Sequence, residues 1–211
     1  MASFDDLSKA VISGEDDQVT ALTKTLIDSG TDPLEIVNQG LIAGMNVVGT
    51  RFKKGDMFVP EVLMSARAMS VGINLVRPLI SEADMPSEGK VLIGTVKGDL
   101  HDIGKNLVGM LMESEGFTVI NLGVDIAPEQ FVAAAKEHNA DIIAMSALLT
   151  TTMLSMKDTI DMFVKEGLRD KVSIIIGGAP ISQEFADEIG ADGFAPDAAT
   201  ACELSKRLLA K

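Results

Sequence analysis

Two histidines and one cysteine narrow the metal and nucleophile chemistry open to this chain of 211 residues. His101 stands in a polar stretch, Gly98-Asp99-Leu100-His101-Asp102-Ile103-Gly104-Lys105-Asn106. A neutral imidazole can give a lone pair from one ring nitrogen, provided that the other finds a hydrogen-bond acceptor. Asp99, two residues back, can take that N–H and raise the donor strength of the ring. Taken alone, an Asp-x-His pair fits an exposed or structurally bonded loop histidine more readily than a metal ligand. Two further segments gather small and hydroxyl-bearing residues: Ser146-Ala147-Leu148-Leu149-Thr150-Thr151-Thr152 and Gly177-Gly178-Ala179-Pro180.

Three other chemistries fail on spacing or residue type. Gly104-Lys105 superficially resembles the end of a phosphate-binding loop. Asn106 stands where a Ser or Thr would hold magnesium, however, and the glycine spacing is wrong. The dinucleotide fingerprint G-x-G-x-x-G is missing. A zinc site would need several carboxylates to converge, because Cys202 is alone and His138, in Lys136-Glu137-His138-Asn139, reads as an exposed helix end.

The elements that must position these segments fall into two rhythms. The first 85 residues read as four helices with short loops, an antiparallel bundle. Leu7, Ala10 and Val11 space the first, and Val19, Leu22, Leu26 and Ile27 the second. The third opens with Asp32 as N-cap, Pro33 at the first helical position and Glu35 in the capping-box position, and runs to about Phe52. The fourth begins near Pro60 and is disturbed at Pro78. Residues 83–89 read as a linker, which gives a helical domain over 1–86 and a second domain over 89–211.

In the second domain, short β-rich runs alternate with helical stretches. The runs are 90–93, 117–120, 141–145 and 171–176, with a weak fifth at 193–194; the helices fall near 103–115, 128–138, 151–166, 181–189 and 197–210. Nearly unbroken apolar strands point to a parallel sheet covered on both faces, a doubly wound α/β domain of the flavodoxin-like or Rossmann-like kind. In such a sheet ligands bind beyond the carboxyl ends of the strands. All three polar segments fall at that edge.

The formal net charge of -13 argues against a broad nucleic-acid footprint, so no nucleic-acid partner is expected. No apolar run approaches the length of a membrane-spanning helix, and MASFDDLSKA lacks the basic and apolar blocks of a signal peptide. With one cysteine, the expectation is a cytoplasmic protein without a membrane partner. The chain has no Trp or Tyr and 8 Phe against 12 Met, so its core should be aliphatic and thioether-rich. Met64, Met69, Met110, Met112, Met153 and Met156 lie at helical spacings and are expected to fill core gaps rather than bind metal.

Asp99-x-His101-x-x-Gly104, then Ser146-x-Leu148, then Gly177-Gly178 resembles the cobalamin-binding signature of methionine synthase and of the small corrinoid proteins of methyl-transfer systems. The three parts stand in the family's order and at its intervals. The helical half is similar to the family's cap module through Gly44-Met45-Asn46-Val47-Val48-Gly49, Phe52, Met57-Phe58-Val59-Pro60 and Ser65-Ala66-Arg67, so the resemblance covers nearly the whole chain.

The resemblance implies a base-off, His-on cobalamin or related corrinoid, with His101 as lower axial ligand to cobalt. It makes Asp99 the partner of the imidazole and Thr152 the continuation of a proton relay, at a position where methionine synthase carries serine. It places Gly104, Ser146, Leu148, Thr150, Gly177 and Gly178 along the channel for the nucleotide tail, and Phe52, Phe58, Val59 and Val62 on the cap face over the corrin.

The function implied is that of a non-catalytic carrier subunit. It would accept a methyl group on Co(I) from a substrate-specific methyltransferase and pass it from methyl-Co(III) to a second methyltransferase acting on a thiol or pterin. A reductive activase is a further implied partner. The donor could be a methylamine, methanol, a betaine or an aryl methyl ether. Two alternatives share the B12-binding half: a cobalamin-dependent sensor or regulator, and the small subunit of a mutase.

Overall fold

The computed structural model describes residues 2–80 and 86–210, so residues 83–85 of the expected linker lie outside the described residues. The chain divides into two compact units, one of residues 1–87 with 114–116 and one of 88–113 with 117–211.

In the helical unit, α1 (Phe4–Ser13) starts at Ser3, whose hydroxyl accepts the Asp6 N–H, and stops at Gly14 in the left-handed conformation. Next comes α2 (Asp16–Asp28). Asp32 caps α3 (Pro33–Glu35) by accepting the Leu34 and Glu35 N–H groups. The Glu35 carboxylate, expected to reach back in a capping box, instead accepts from Gln39 Nε2 one turn on. The chain continues through a π-helical stretch, Ile36–Ile42, into α4 (Ala43–Lys53). Helix α5 spans Val59–Val76, and a 3-10 turn at Arg77–Leu79 carries Pro78. Its start is fixed by Glu61, whose carboxylate accepts the Phe58 N–H at 2.8 Å. Leu7, Val11, Val19, Ile36, Leu41, Val48, Val62 and Val76 form the buried apolar centre of this unit.

The second unit is a parallel five-stranded sheet: β1 (Lys90–Val96), β2 (Thr118–Ile126), β3 (Ile142–Ser146), β4 (Ser173–Gly177) and β5 (Gly193–Phe194). The strands lie in the order β2-β1-β3-β4-β5, the flavodoxin-like doubly wound arrangement. Connections run through α6 (Ile103–Ser114), α7 (Pro128–His138), α8 (Leu154–Lys165) and α9 (Gln183–Ile189), and α10 (Ala198–Leu209) closes the chain. Leu92, Ile143, Met145, Ile174 and Ile176 bury one sheet face against Phe131, Met156 and Phe163 of α7 and α8. Val91, Ile93, Ile142 and Ile175, at the alternate positions of the same strands, are buried too, so the sheet is covered on both faces.

Two expectations need correction. Strand β2 runs to Ile126 rather than stopping at Ile120, and it does so by shifting register twice against β1, near Gly94 and again before Val96. Met69, Met112 and Met156 are core residues, but Met64 and Met110 are about half exposed. Helical spacing gives the repeat of a face without saying which face is covered.

Candidate functional site

Strand order reverses between β1 and β3, and the crevice at such a reversal is where doubly wound sheets bind ligands. At its carboxyl edge the sheet register aligns Thr95, Ser146 and Gly177 side by side across β1, β3 and β4. The three polar segments of the sequence leave the sheet from that row.

After β1 the chain turns through Gly98 (φ 84) and enters a loop that ends where α6 begins. Within it, Asp99 is fully buried. Its Oδ1 accepts the His101 backbone N–H at 3.1 Å and lies 2.7 Å from His101 Nδ1. Its Oδ2 accepts the Leu148 N–H at 2.8 Å, the Leu149 N–H at 3.2 Å and the Thr152 hydroxyl at 2.8 Å. Burial pushes the Asp99 carboxyl up, but the bonds from the His101 and Leu148 amides, the imidazole and Thr152 outweigh it. The group is held well below the usual carboxylate range.

An ionised carboxylate can only accept, so Nδ1 carries a proton, and in the neutral ring the lone pair is then on Nε2. The His101 side chain is 52% exposed, and the loop is steadied by the Thr95 hydroxyl, which donates to the His101 carbonyl at 2.8 Å. The result is an imidazole held through Nδ1, with Nε2 as the ring nitrogen left to meet a ligand. Among the described residues no group of three or more His, Cys, Asp or Glu is placed to hold a metal ion. His101 would therefore serve as a single protein donor to a metal-bearing group rather than as part of a protein-only metal cluster. The surroundings suit a large ring: Leu100 and Ile103, on either side of His101, are 71% and 87% exposed, and Leu148 is also open.

The remaining expected residues divide by location. Asp99, His101, Leu148 and Thr152 are joined directly by hydrogen bonds. Ser146 and Gly177 stand in the aligned row, and Thr150 is exposed in the turn between β3 and α8. Gly104 is exposed in the first turn of α6, with open space where a side chain would be. Gly178 has φ 128, and a Cβ there would overlap the Ala147 carbonyl oxygen, so only glycine lets the β4 loop pass so close to the β3 loop. In the helical unit, Phe58 is 70% exposed just before α5, Phe52 and Val59 are half-buried, and Val62 is 2% exposed.

The sequence reading passed over three side chains. Thr95 was expected beyond a first strand over 90–93, with no role of its own, yet it lies within β1 and its hydroxyl reaches the His101 carbonyl. Lys105 was weighed only as part of a phosphate loop, yet it is 3% exposed, and its Nζ donates to Asn106 Oδ1 at 2.7 Å and Asn121 Oδ1 at 2.6 Å. Burial lowers the pKa of Lys105, partly offset by the charge of Asp102. Asn121 also accepts the Gly123 N–H, which ties the start of α6 to the irregular end of β2. A lysine directly after a glycine at a helix start was the available signal.

Two family models, each described as a B12 binding domain, match residues 89–204 and 3–77. A corrinoid protein of Desulfitobacterium hafniense is 47% identical over 214 residues, covering 100% of this chain and 99% of the relative. A dimethylamine corrinoid protein of Methanosarcina barkeri is 44% identical over 206 residues, covering 97% and 96%. The crystal structure of a methanol:cobalamin methyltransferase complex from Methanosarcina barkeri superimposes with a TM-score of 0.90 at 32% identity, over 98% of this chain and 79% of that one. An imidazole held through Nδ1 at a flavodoxin-like switch point thus coincides with full-length likeness: this chain belongs to the family of small corrinoid proteins, the methyl carriers of corrinoid-dependent methyl-transfer systems.

Proposed function

We propose that the chain binds its corrinoid base-off, with His101 Nε2 as lower axial ligand, and works as the methyl-carrying subunit between two methyltransferases. The observation that carries this reading is the Asp99–His101 pair, in which a buried, ionised carboxylate holds Nδ1–H and leaves Nε2 free. The bound cofactor would supply a cobalt centre able to accept and release a methyl group, while the protein binds, orients and tunes it.

Each residue then has a definite task. His101 holds the metal from below, and Asp99 fixes the ring and raises its basicity. Thr152 donates to Asp99 and links the relay to the segment that follows β3. Ser146, Thr150, Gly104, Leu148, Gly177 and Gly178 line the channel for the nucleotide tail: glycines admit its backbone-close passage, hydroxyls bond it, and Leu148 forms an apolar wall. Phe52, Phe58, Val59 and Val62 belong to a cap over the upper face, supplied by residues 1–86, with residues 83–89 as the joint to the 89–211 domain. Phe58 is the most exposed of the four and has the most apolar surface to offer.

The methyl donor is a small methylated amine, a reading supported by the dimethylamine corrinoid proteins among the relatives. A substrate-specific methyltransferase loads the carrier, a second unloads it to a thiol or tetrahydropterin, and a reductive activase restores the reduced state. The test is to load the chain with hydroxocobalamin, reduce it, and follow its absorption spectrum on adding dimethylamine or methanol with the cognate methyltransferase. Dimethylamine should convert the spectrum and methanol should not. An unchanged spectrum of the loaded His101→Ala protein would remove the axial assignment, and conversion by methanol alone would remove the donor.

A further inference from the structure

The loop that carries Asp99 and His101 is gripped from the side by β2. Asp125, near the end of that strand, has φ 56, in the left-handed region that non-glycine residues seldom enter, although Asp and Asn enter it more often than most. It lies in the second register shift of β2, where Gly94 pairs with Gly123 but Val96 pairs with Ile126, so β2 spends one more residue than β1. A bulge of this kind re-aims a side chain and commonly sits beside a functional site.

What the bulge achieves is a reciprocal pair of hydrogen bonds. Asp125 Oδ1 accepts the Gly98 N–H at 2.7 Å, and the Asp125 N–H donates to the Asp99 carbonyl at 3.0 Å. Gly98 itself has φ 84, so the turn between β1 and Asp99 is one an unrestrained chain would leave easily. Both bonds act on the backbone immediately before and at Asp99, the residue whose side chain orients His101.

We infer that Asp125 is a positioning residue for the axial ligand: by holding the Gly98–Asp99 turn it aims the Asp99 carboxylate at His101 Nδ1 and so sets the fraction of cofactor with histidine on cobalt. This rests on His101 being that ligand. Three substitutions separate the causes. Asp125→Asn keeps an acceptor oxygen and tolerance of positive φ, Asp125→Gly keeps the backbone freedom without the acceptor, and Asp125→Ala keeps neither.

The experiment loads the full chain, grown with heavy-nitrogen histidine, with hydroxocobalamin, reduces it to Co(II) and records electron paramagnetic resonance. Labelled histidine on cobalt splits the lines into doublets, whereas the cofactor's own base gives triplets. The chain has only two histidines, so the doublet reports His101 nearly uniquely, and unlabelled and His101→Ala samples fix the baseline. The ratio of histidine-on to histidine-off should fall about tenfold in Asp125→Gly and Asp125→Ala, the effect of losing one strong hydrogen bond. It should stay within about threefold of wild type in Asp125→Asn, whose neutral acceptor bonds more weakly.

A purely structural role would lower the melting temperature of all variants without this pattern. A wild-type-like ratio in Asp125→Gly, beside a clear doublet in the wild type, overturns the positioning role and leaves the axial ligand standing. A wild type without the doublet overturns both.

Discussion

Asp99→Asn is the sharpest perturbation of the site, because the five hydrogen bonds accepted by the carboxylate leave no neutral way to seat an amide. With the amide oxygen toward Leu148 and Leu149, their N–H groups remain satisfied and the NH2 faces His101. The His101 backbone N–H is then opposed by a donor. The imidazole can escape only by moving its proton from Nδ1 to Nε2, which removes the lone pair a metal needs. In the opposite orientation the NH2 faces two backbone donors that cannot turn away. Each orphaned buried donor costs about 1–3 kcal/mol. The first orientation strands one backbone donor and the second strands two, so the first should prevail.

The expected outcome is a loss of about 1–3 kcal/mol of stability, read as a fall in melting temperature of about 2–4 °C per kcal/mol for a chain of this size. With it should come at least a tenfold fall in histidine-on cofactor, about 1.4 kcal/mol of axial preference. Thermal melting of the unloaded chain gives the first quantity, and the absorption spectrum of the loaded chain gives the second. A variant that melts normally and still binds cobalt through histidine would refute both the tautomer assignment and the role of Asp99.

Other expectations follow from neighbouring contacts. Thr152→Val removes the hydroxyl that Asp99 Oδ2 accepts and should cost about 1.5–3 kcal/mol, as bonds to charged groups do, while Thr152→Ser should keep most of that; equal melting temperatures for the two would count against the bond. Gly178→Ala drives a methyl into the Ala147 carbonyl at a positive φ, and urea denaturation should show a loss of more than about 2 kcal/mol; a neutral result would mean that the two loops part without cost. Lys105 tests the buried network through pH. Its folded pKa lies below the unfolded 10.5, so in the alkaline window beneath 10.5 the unfolded chain holds more protons and stability rises with pH. Lys105→Met should lack that rise, and with no tyrosine to titrate, urea midpoints across the window isolate the difference; identical slopes would contradict it.

The parts of the fold that were legible are those written in apolar rhythm and in caps. Strands β1, β3 and β4 announce themselves as aliphatic runs, and α3 opens at Asp32 and Pro33 as their cap pattern requires. The end of β2 was hidden because Asn121, Gly123 and Asp125 have turn-forming side chains, and only their pairing with β1 makes them strand. Asp99 could be named from its spacing to His101. That its second oxygen is held by the Leu148 and Leu149 amides could not be, since every residue but proline carries the same N–H and only the fold aims it. Val62 shows the converse: its motif neighbours mark a face, while its own side chain is buried.

The division of labour between the two Asp99 oxygens would let a single histidine serve as a controlled ligand in the proposed role. Oδ1 belongs to the His101 loop after β1, and Oδ2 belongs to the Leu148–Thr152 segment after β3, so one buried charge stitches together the two sides of the switch point. No Lys or Arg lies among its hydrogen-bonding partners; its charge is balanced by oriented N–H and O–H dipoles, which are effective only while both loops keep their places. A displacement of the β3 loop would therefore weaken the acceptor of the imidazole, and turning the imidazole would loosen the β3 loop. The β3 loop includes Leu148 and Thr150, and the His101 loop leads into Gly104 at the start of α6, three of the residues assigned to the tail channel. On the proposed assignment, axial ligation and seating of the tail would be mechanically one event, because the Asp99 carboxylate is shared between the two loops.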